Sequence, residues 1–196
     1  LYRGDKNNLP NVPYREVIGA LLFIGRMSQP DIIYAVNVLS RMNNCYTTEH
    51  YWKYVLRVVI YLYHTVDLEL TYHNNTTARP LVQYCDANHG DDRSDGTSTC
   101  GNLMYLHGNV ASWNIEKQED VSLSTSEAEY KTLTCGMYFY NLLFTELQLK
   151  SWFPILTYID NMGAGYMAET FQQNKRTKHI HIEYHFARQQ VQRKIH

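Results

Sequence analysis

The 196-residue chain, 44% hydrophobic, 13% aromatic and 19% charged, carries enough apolar material for one large packed domain or two small ones and lacks the polar bias of a disordered segment. A formal net charge of −1 argues against nucleic-acid binding by bulk electrostatics, and four dispersed cysteines (Cys45, Cys85, Cys100, Cys135) argue against a zinc ribbon or a secreted disulfide framework. No eighteen-residue apolar run and no charged-then-apolar leader occurs, so no membrane partner and no signal peptide are expected, and a start at Leu1 rather than Met reads as a piece of something longer.

After a polar lead with Pro10 and Pro13, Val17, Ile18, Leu21, Leu22 and Ile24 fall at helical spacing over Tyr14 to Met27. Ser28-Gln29-Pro30 interrupts, and Pro30 suits the first turn of a second helix running to Asn43-Asn44. Thr47 or Thr48 can cap a third helix, Glu49 to about His64, with Trp52, Val55, Leu56, Val59 and Leu62 on one side. Leu68 to Tyr72 is a short strand candidate, and the Asn74 to Thr77 run reads as a linker. The expected organisation is therefore a mainly helical segment, 1–78, followed by a second domain, 79–196.

In that second part Leu81 to Cys85, Gly101 to Leu106 and Val110 to Trp113 read as strands, with a hairpin turn at His107-Gly108-Asn109. A long helix is expected over Ser126 to Leu149, then a strand at Ile155 to Ile159, a helix near Met162 to Thr170 and a last helix over Ile182 to Arg193. This order predicts an α/β fold with a mixed sheet. The carboxyl end is basic, with Lys175, Arg176, Lys178, Arg188, Arg193 and Lys194 against Glu183 alone, which fits a binding surface or a solvated helix face.

Asp86 and Asp160 each close a predicted strand, where α/β folds place chemistry because the sheet fixes the backbone while side chains point into a crevice. Either Asp could instead cap the helix that follows it. Glu127 and Glu129 lie about 200° apart on the long helix, so one should be exposed. Glu127, with Ser124 as N-cap and Lys131 four residues on, reads as a surface pair. Glu129 falls on the stripe of Leu133, Gly136, Tyr140, Leu143 and Leu147 that should pack on the sheet. A carboxylate there is costly unless it is paired or bound to a metal, or unless it completes a capping box with Ser126. Three carboxylates converging on one sheet edge suit Mg²⁺ and, in particular, phosphodiester hydrolysis.

The run Tyr84-Cys85-Asp86-Ala87-Asn88, then Ala111-Ser112-Trp113 with Lys117-Gln118, Leu123 to Tyr130, Asp160-Asn161, and Arg176-Thr177-Lys178-His179-Ile180 through Tyr184-His185-Phe186 resembles the ribonuclease H domain of copia-type retrotransposon polyproteins. Pro13-Tyr14-Arg15, Gly19-Ala20-Leu21 and Gln29-Pro30-Asp31-Ile32 with Ala35-Val36-Asn37 resemble the segment joining reverse transcriptase to it. The resemblance implies a ribonuclease H-like sheet flanked by helices and cleavage of the RNA strand of an RNA/DNA hybrid by two-metal chemistry. It assigns metal binding to Asp86, Glu129 and Asp160, with Mg²⁺ as the ion and Mn²⁺ as a substitute. Lys175, Arg176, Lys178 and Arg188 would meet the hybrid backbone. The implied partners are the hybrid and the reverse transcriptase of the same polyprotein, in a cytoplasmic particle with passage to the nucleus as an alternative.

The sequence departs from that family pattern in several places. His181 stands where a fourth acid is expected, and a neutral imidazole is a poor Mg²⁺ ligand, leaving it a proton-shuttle role or none. Asn88 replaces a frequent second Asp, the loop Gly90 to Gly96 is rearranged, and the catalytic motif of a polymerase, a strand turn with paired aspartates, is absent. The alternative function is an inactive or co-opted remnant that at most binds nucleic acid or protein. A zinc site from His179, His181 and His185 matches no spacing that zinc requires.

Overall fold

A computed structural model describes residues 12–43, 49–75, 77–149, 154–169 and 185–192. Lys175, Arg176, Lys178, His181, the Thr47/Thr48 cap and the side chain of Arg188 lie outside the described residues. The chain divides into two compact units, Leu1–Thr71 and Tyr72–His196.

The first unit holds helix α1 (Tyr14–Met27), a 3-10 turn (Pro30–Ile32) leading into α2 (Ile33–Ser40), and α3 (Glu49–His64). Pro30 occupies the first position of the turn, where its missing N–H costs nothing. Ile18, Leu21, Ile32, Val36, Leu39, Val55 and Val58 form the core, with Tyr14, Trp52 and Leu62 packed against it. The inward stripe of α3 thus runs through Trp52, Val55, Val58 and Leu62, whereas Leu56 and Val59, expected on the same side, are exposed. This helix offers two apolar stripes, and packing against α1 and α2 selects one of them.

In the second unit, strands β1 (Leu81–Asn88), β2 (Thr99–Leu106), β3 (Asn109–Lys117) and β4 (Leu156–Tyr158) form an open mixed sheet of order β3-β2-β1-β4. β1 pairs antiparallel with β2 and parallel with β4. The β2–β3 hairpin turns on His107 and Gly108 alone, with φ of 47° and 79°, so both central residues are left-handed, as a tight turn matching strand twist requires. Residues 68–72 join no ladder: the backbone N–H and C=O of the next residue, His73, are taken at 2.7 and 2.9 Å by the side-chain amide of Asn109. An alternating run without a neighbouring strand gains no ladder hydrogen bonds, which is why the expected strand does not form there.

Helix α4 (Thr125–Glu146) lies against β1 and β2 and is in turn packed by α5 (Met162–Glu169) and α6 (His185–Gln192). Its start is capped by the Ser124 hydroxyl, which accepts from the Glu127 N–H at 3.2 Å. Its end closes as a Schellman turn: Gln148 has φ 58°, its N–H reaches Thr145 O, and the Leu149 N–H reaches Phe144 O. Cys85, Tyr130, Leu133, Met137, Ala164, Ala168 and Ala187 form one core cluster, and Leu81, Met104, Tyr140, Phe144 and Ile155 another. Between them a polar pair is sealed in, with the Gln83 Nε2 donating to Asn102 Oδ1 at 3.2 Å directly beneath Gly136. A Cβ at Gly136 would stand 2.0 Å from Gln83 Nε2 and 2.3 Å from Asn102 Oδ1, so this glycine is what allows the helix to approach the sheet. The architecture is α/β, an open mixed sheet with flanking helices preceded by a helical segment, in agreement with the ribonuclease H-like expectation.

Candidate metal centre

Strand alternation decides which side chains β1 shows. Leu81, Gln83 and Cys85 are buried beneath α4, which leaves Tyr84 and Asp86 on the opposite, exposed side. β4 runs parallel with Tyr84 opposite Tyr158, and the two rings stack at 5.0 Å with an 18° interplanar angle. Asp86 and Asp160 each follow this pair by two residues, so the register itself brings them side by side at the carboxyl ends of neighbouring strands.

Glu129 reaches the same point from α4. Oxygen atoms of Asp86, Glu129 and Asp160 all lie within 4.8 Å of one another, an arrangement that could hold a metal ion. Asp86 and Asp160 are exposed, but Glu129 is only 4% exposed. Its Oε1 accepts the Ala87 N–H at 3.0 Å, while its Oε2 is buried with no hydrogen-bond partner. Burial pushes the Glu129 carboxyl up to about 7; the Ala87 N–H opposes the shift, and the charges of Asp160 and Asp86 add to it.

Asp160 does not cap α5. Asn161 does, accepting from the Ala164 N–H through Oδ1 at 3.1 Å and from the Gly165 N–H through its backbone oxygen at 3.2 Å. Glu129 likewise is no capping acid for Ser126, whose hydroxyl donates instead to Asn161 Oδ1 at 3.0 Å. Both bland explanations of these acids are thereby spent on neighbouring residues.

Glu127 departs from the surface pair expected of it. Glu127 and Lys131 are 4% and 5% exposed and joined at 3.0 Å, and Glu127 Oε2 also accepts the Leu123 N–H. The two acids at the start of α4, Glu127 and Glu129, are therefore both buried, on different sides, because the helix start is enclosed. The sheet covers one flank, and the segment from Gln118 to Leu123 lies along another, with the Gln118 Nε2 donating to Ala128 O and the Ser122 hydroxyl to Gln118 Oε1.

The rearranged loop after β1 is an ordered clasp. Lys117, at the end of β3, donates at 2.6 Å to both Asp92 and Asp95, and Asp91 accepts from the Thr99 hydroxyl at 2.7 Å. Lys117 hydrogen bonding, seconded by Ser94, holds the Asp92 carboxyl well below the usual range. Cys85 and Cys100 are buried thiols, which burial pushes up from their ordinary range.

Comparison with known proteins adds the lineage. The chain is 36% identical over 195 residues to a retrovirus-related Pol polyprotein from transposon RE1 of Arabidopsis thaliana, covering 98% of the chain and 13% of that protein. It is 36% identical over 196 residues to the polyprotein from transposon RE2 of the same plant, with the same coverage. A third, from transposon TNT 1-94 of Nicotiana tabacum, is 31% identical over 191 residues, 95% of the chain and 14% of that protein. The chain belongs to the copia-type retrotransposon Pol polyproteins. It matches a small part of each such polyprotein, and no protein-family model matches it. Within this Pol segment no helix among the described residues is long and apolar enough to cross a membrane.

Sequence reading named Asp86, Glu129 and Asp160, and the fold brings these three together. It offered Ser126 only as a capping partner of Glu129 and gave no site role to Asn161 or Gly163; these three tie α4 to α5 beside the acids. The one available signal was the Asn161 to Ala164 spacing of an N-cap directly after a strand-end acid.

Proposed function

We propose that this Pol segment is a ribonuclease H-type nuclease that hydrolyses the RNA strand of RNA/DNA hybrids with divalent cations held by Asp86, Glu129 and Asp160. The observation that carries the reading is the buried Glu129, with one oxygen left without a hydrogen-bond partner, in a group with Asp86 and Asp160 whose carboxylate oxygens lie within 4.8 Å of one another. Three ionised acids this close repel one another and repel a phosphodiester, so a bound cation would relieve the first repulsion and let the phosphate approach. An all-oxygen donor set with two exposed members suits Mg²⁺ or Mn²⁺, which keep bound waters, better than it suits zinc. Such ions, when bound, supply an activated water and neutralise charge on the phosphate.

The protein's own contribution is placement. Asp86 and Asp160 present oxygens to solvent from strand ends whose register is set by backbone pairing. Glu129 offers an inner oxygen whose partner oxygen is held by the Ala87 N–H. Burial pushes its carboxyl up to about 7, so a cation held here would displace the proton of Glu129 near neutral pH. Lys175, Arg176, Lys178 and Arg188 are proposed to meet the hybrid backbone, making binding salt-dependent. Reverse transcriptase of the same polyprotein is the proposed partner, and a cytoplasmic particle or the nucleus the place of action.

His181, in place of the family's fourth acid, favours a second reading in which the segment has lost hydrolysis and retains binding. One experiment separates the two: cleavage of a labelled RNA/DNA hybrid in Mg²⁺ and in Mn²⁺, with Asp86→Asn and His181→Asp variants alongside. Cleavage that is stronger in Mn²⁺, abolished in Asp86→Asn and raised in His181→Asp supports the nuclease. Absence of cleavage in the wild type and in folded His181→Asp, in both metals, overturns it.

A further inference from the structure

We propose that Ser126 is a positioning residue of this centre, fixing the separation of Glu129 and Asp160 through Asn161; the inference rests on the metal-binding reading of the three acids. Glu129 and Asp160 come from elements with no covalent proximity, a helix and a strand end, and their charges drive them apart. Something must oppose that repulsion before an ion arrives. The Ser126 hydroxyl sits one turn before Glu129 on α4 and donates at 3.0 Å to Asn161 Oδ1, and Asn161 is the residue directly after Asp160.

The acceptor of this bond is itself fixed. Asn161 Oδ1 also accepts the Ala164 N–H at 3.1 Å, and the Asn161 backbone oxygen accepts the Gly165 N–H at 3.2 Å, so the amide is locked as the N-cap of α5. Ser126 is therefore tied to a helix start and not to a mobile side chain. The first turns of α4 and α5 are also in tight contact there. A Cβ added at Gly163 would stand 2.4 Å from Ser126 Oγ, 3.1 Å from Ser126 Cβ and 3.0 Å from Asn161 Oδ1. A glycine at the contact point and a single hydrogen bond across it form a clamp whose two jaws carry Glu129 and Asp160.

Groups that orient metal-binding side chains without touching the ion typically change its affinity by roughly 10–100-fold when removed. Mn²⁺ binding to the full chain, measured by calorimetry and by the loss of the free-ion paramagnetic resonance signal, tests this without any turnover. Thr and Val at position 126 have nearly the same shape and differ in the hydroxyl. Ser126→Thr is expected to bind Mn²⁺ within about threefold of wild type, and Ser126→Val roughly tenfold or more weakly. Both should remain folded, because loss of one hydrogen bond shifts Tm by only a few degrees in a chain of this size. Gly163→Ala, which presses on the same contact from the α5 side, should also weaken Mn²⁺, and Asp86→Asn marks the level of a lost site. Equal Mn²⁺ affinity in folded Ser126→Val and Ser126→Thr overturns the positioning role while leaving the metal centre standing. Absence of Mn²⁺ binding in the wild type, at the level of Asp86→Asn, overturns both.

Discussion

In the loop between β1 and β2, Asp92 and Asp95 share the ammonium of Lys117 at 2.6 Å each, and both carboxyls are held below the usual range by that hydrogen bonding. At the carboxyl ends of β1 and β4, Asp86 and Asp160 face Glu129, no ion pair joins the three among the described residues, and Glu129 is pushed up instead of down. The first cluster is complete as it stands, because its negative charge is met within the chain. The second is incomplete among the described residues, since the charges that act on Glu129 are those of Asp160 and Asp86. The first cluster thus has its counter-charge in Lys117, whereas the second could take one from a bound cation.

Removing one member of each cluster should therefore have opposite kinds of effect. The largest is expected from Asp86→Asn: a loss of hybrid cleavage on the order of a hundredfold or more, with the thermal transition unchanged or raised. Unaltered cleavage would place the chemistry elsewhere.

Glu129→Gln should stabilise the ion-free protein. The folded-state carboxyl titrates near 7 against an ordinary 4.5, so the penalty for holding its charge builds as pH rises from about 4.5 to 7 and is complete above that. The glutamine variant is then favoured at pH 8 by on the order of 3 kcal/mol, and by nothing below about pH 4.5, where both states are protonated. Urea denaturation at the two pH values measures the difference, and a variant less stable than wild type at pH 8 would contradict the uncompensated charge. For the same reason Mn²⁺ affinity of the wild type should rise from pH 5 and level off above about 7, with proton release seen in buffers of different ionisation enthalpy.

Lys117→Met should produce the smallest change and the reverse sign, costing about 1 kcal/mol through Asp92 at neutral pH. Asp92 is depressed in the folded state, so the contribution is present above the ordinary carboxylate range and disappears as pH falls through the lower folded value. A Lys117→Met variant as stable as wild type in low salt would remove the distinction between the two clusters.

Much of this was readable from residue order. The strand-end aspartates announced themselves by following apolar alternation directly, and Glu129 by sitting on a stripe with Leu133 and Tyr140. The Ser124 cap and the His107-Gly108 turn were legible because local backbone chemistry sets them. Less legible were facts that depend on what lies alongside a helix. Glu127 and Lys131 carry the spacing of an exposed pair, and only the segment from Gln118 to Leu123, folded along α4, encloses that helix start. On α3, Leu56 and Val59 have the same periodicity as Val55 and Val58, and docking against α1 and α2 chose between them.

The sequence by itself determined the element order apart from the strand expected at 68–72, the mixed α/β class, the three candidate acids and the family resemblance, because periodicity, capping and motif order are properties of a chain read one residue at a time. Tertiary structure alone decided that β4 pairs parallel to β1 in the register that sets Asp160 beside Asp86, and that a Cβ at Gly136 of α4 or Gly163 of α5 would collide with the element packed against it. It also decided that one oxygen of Glu129 is left without a partner. These depend on distances between segments far apart in sequence, and burial, desolvation and charge repulsion act through those distances.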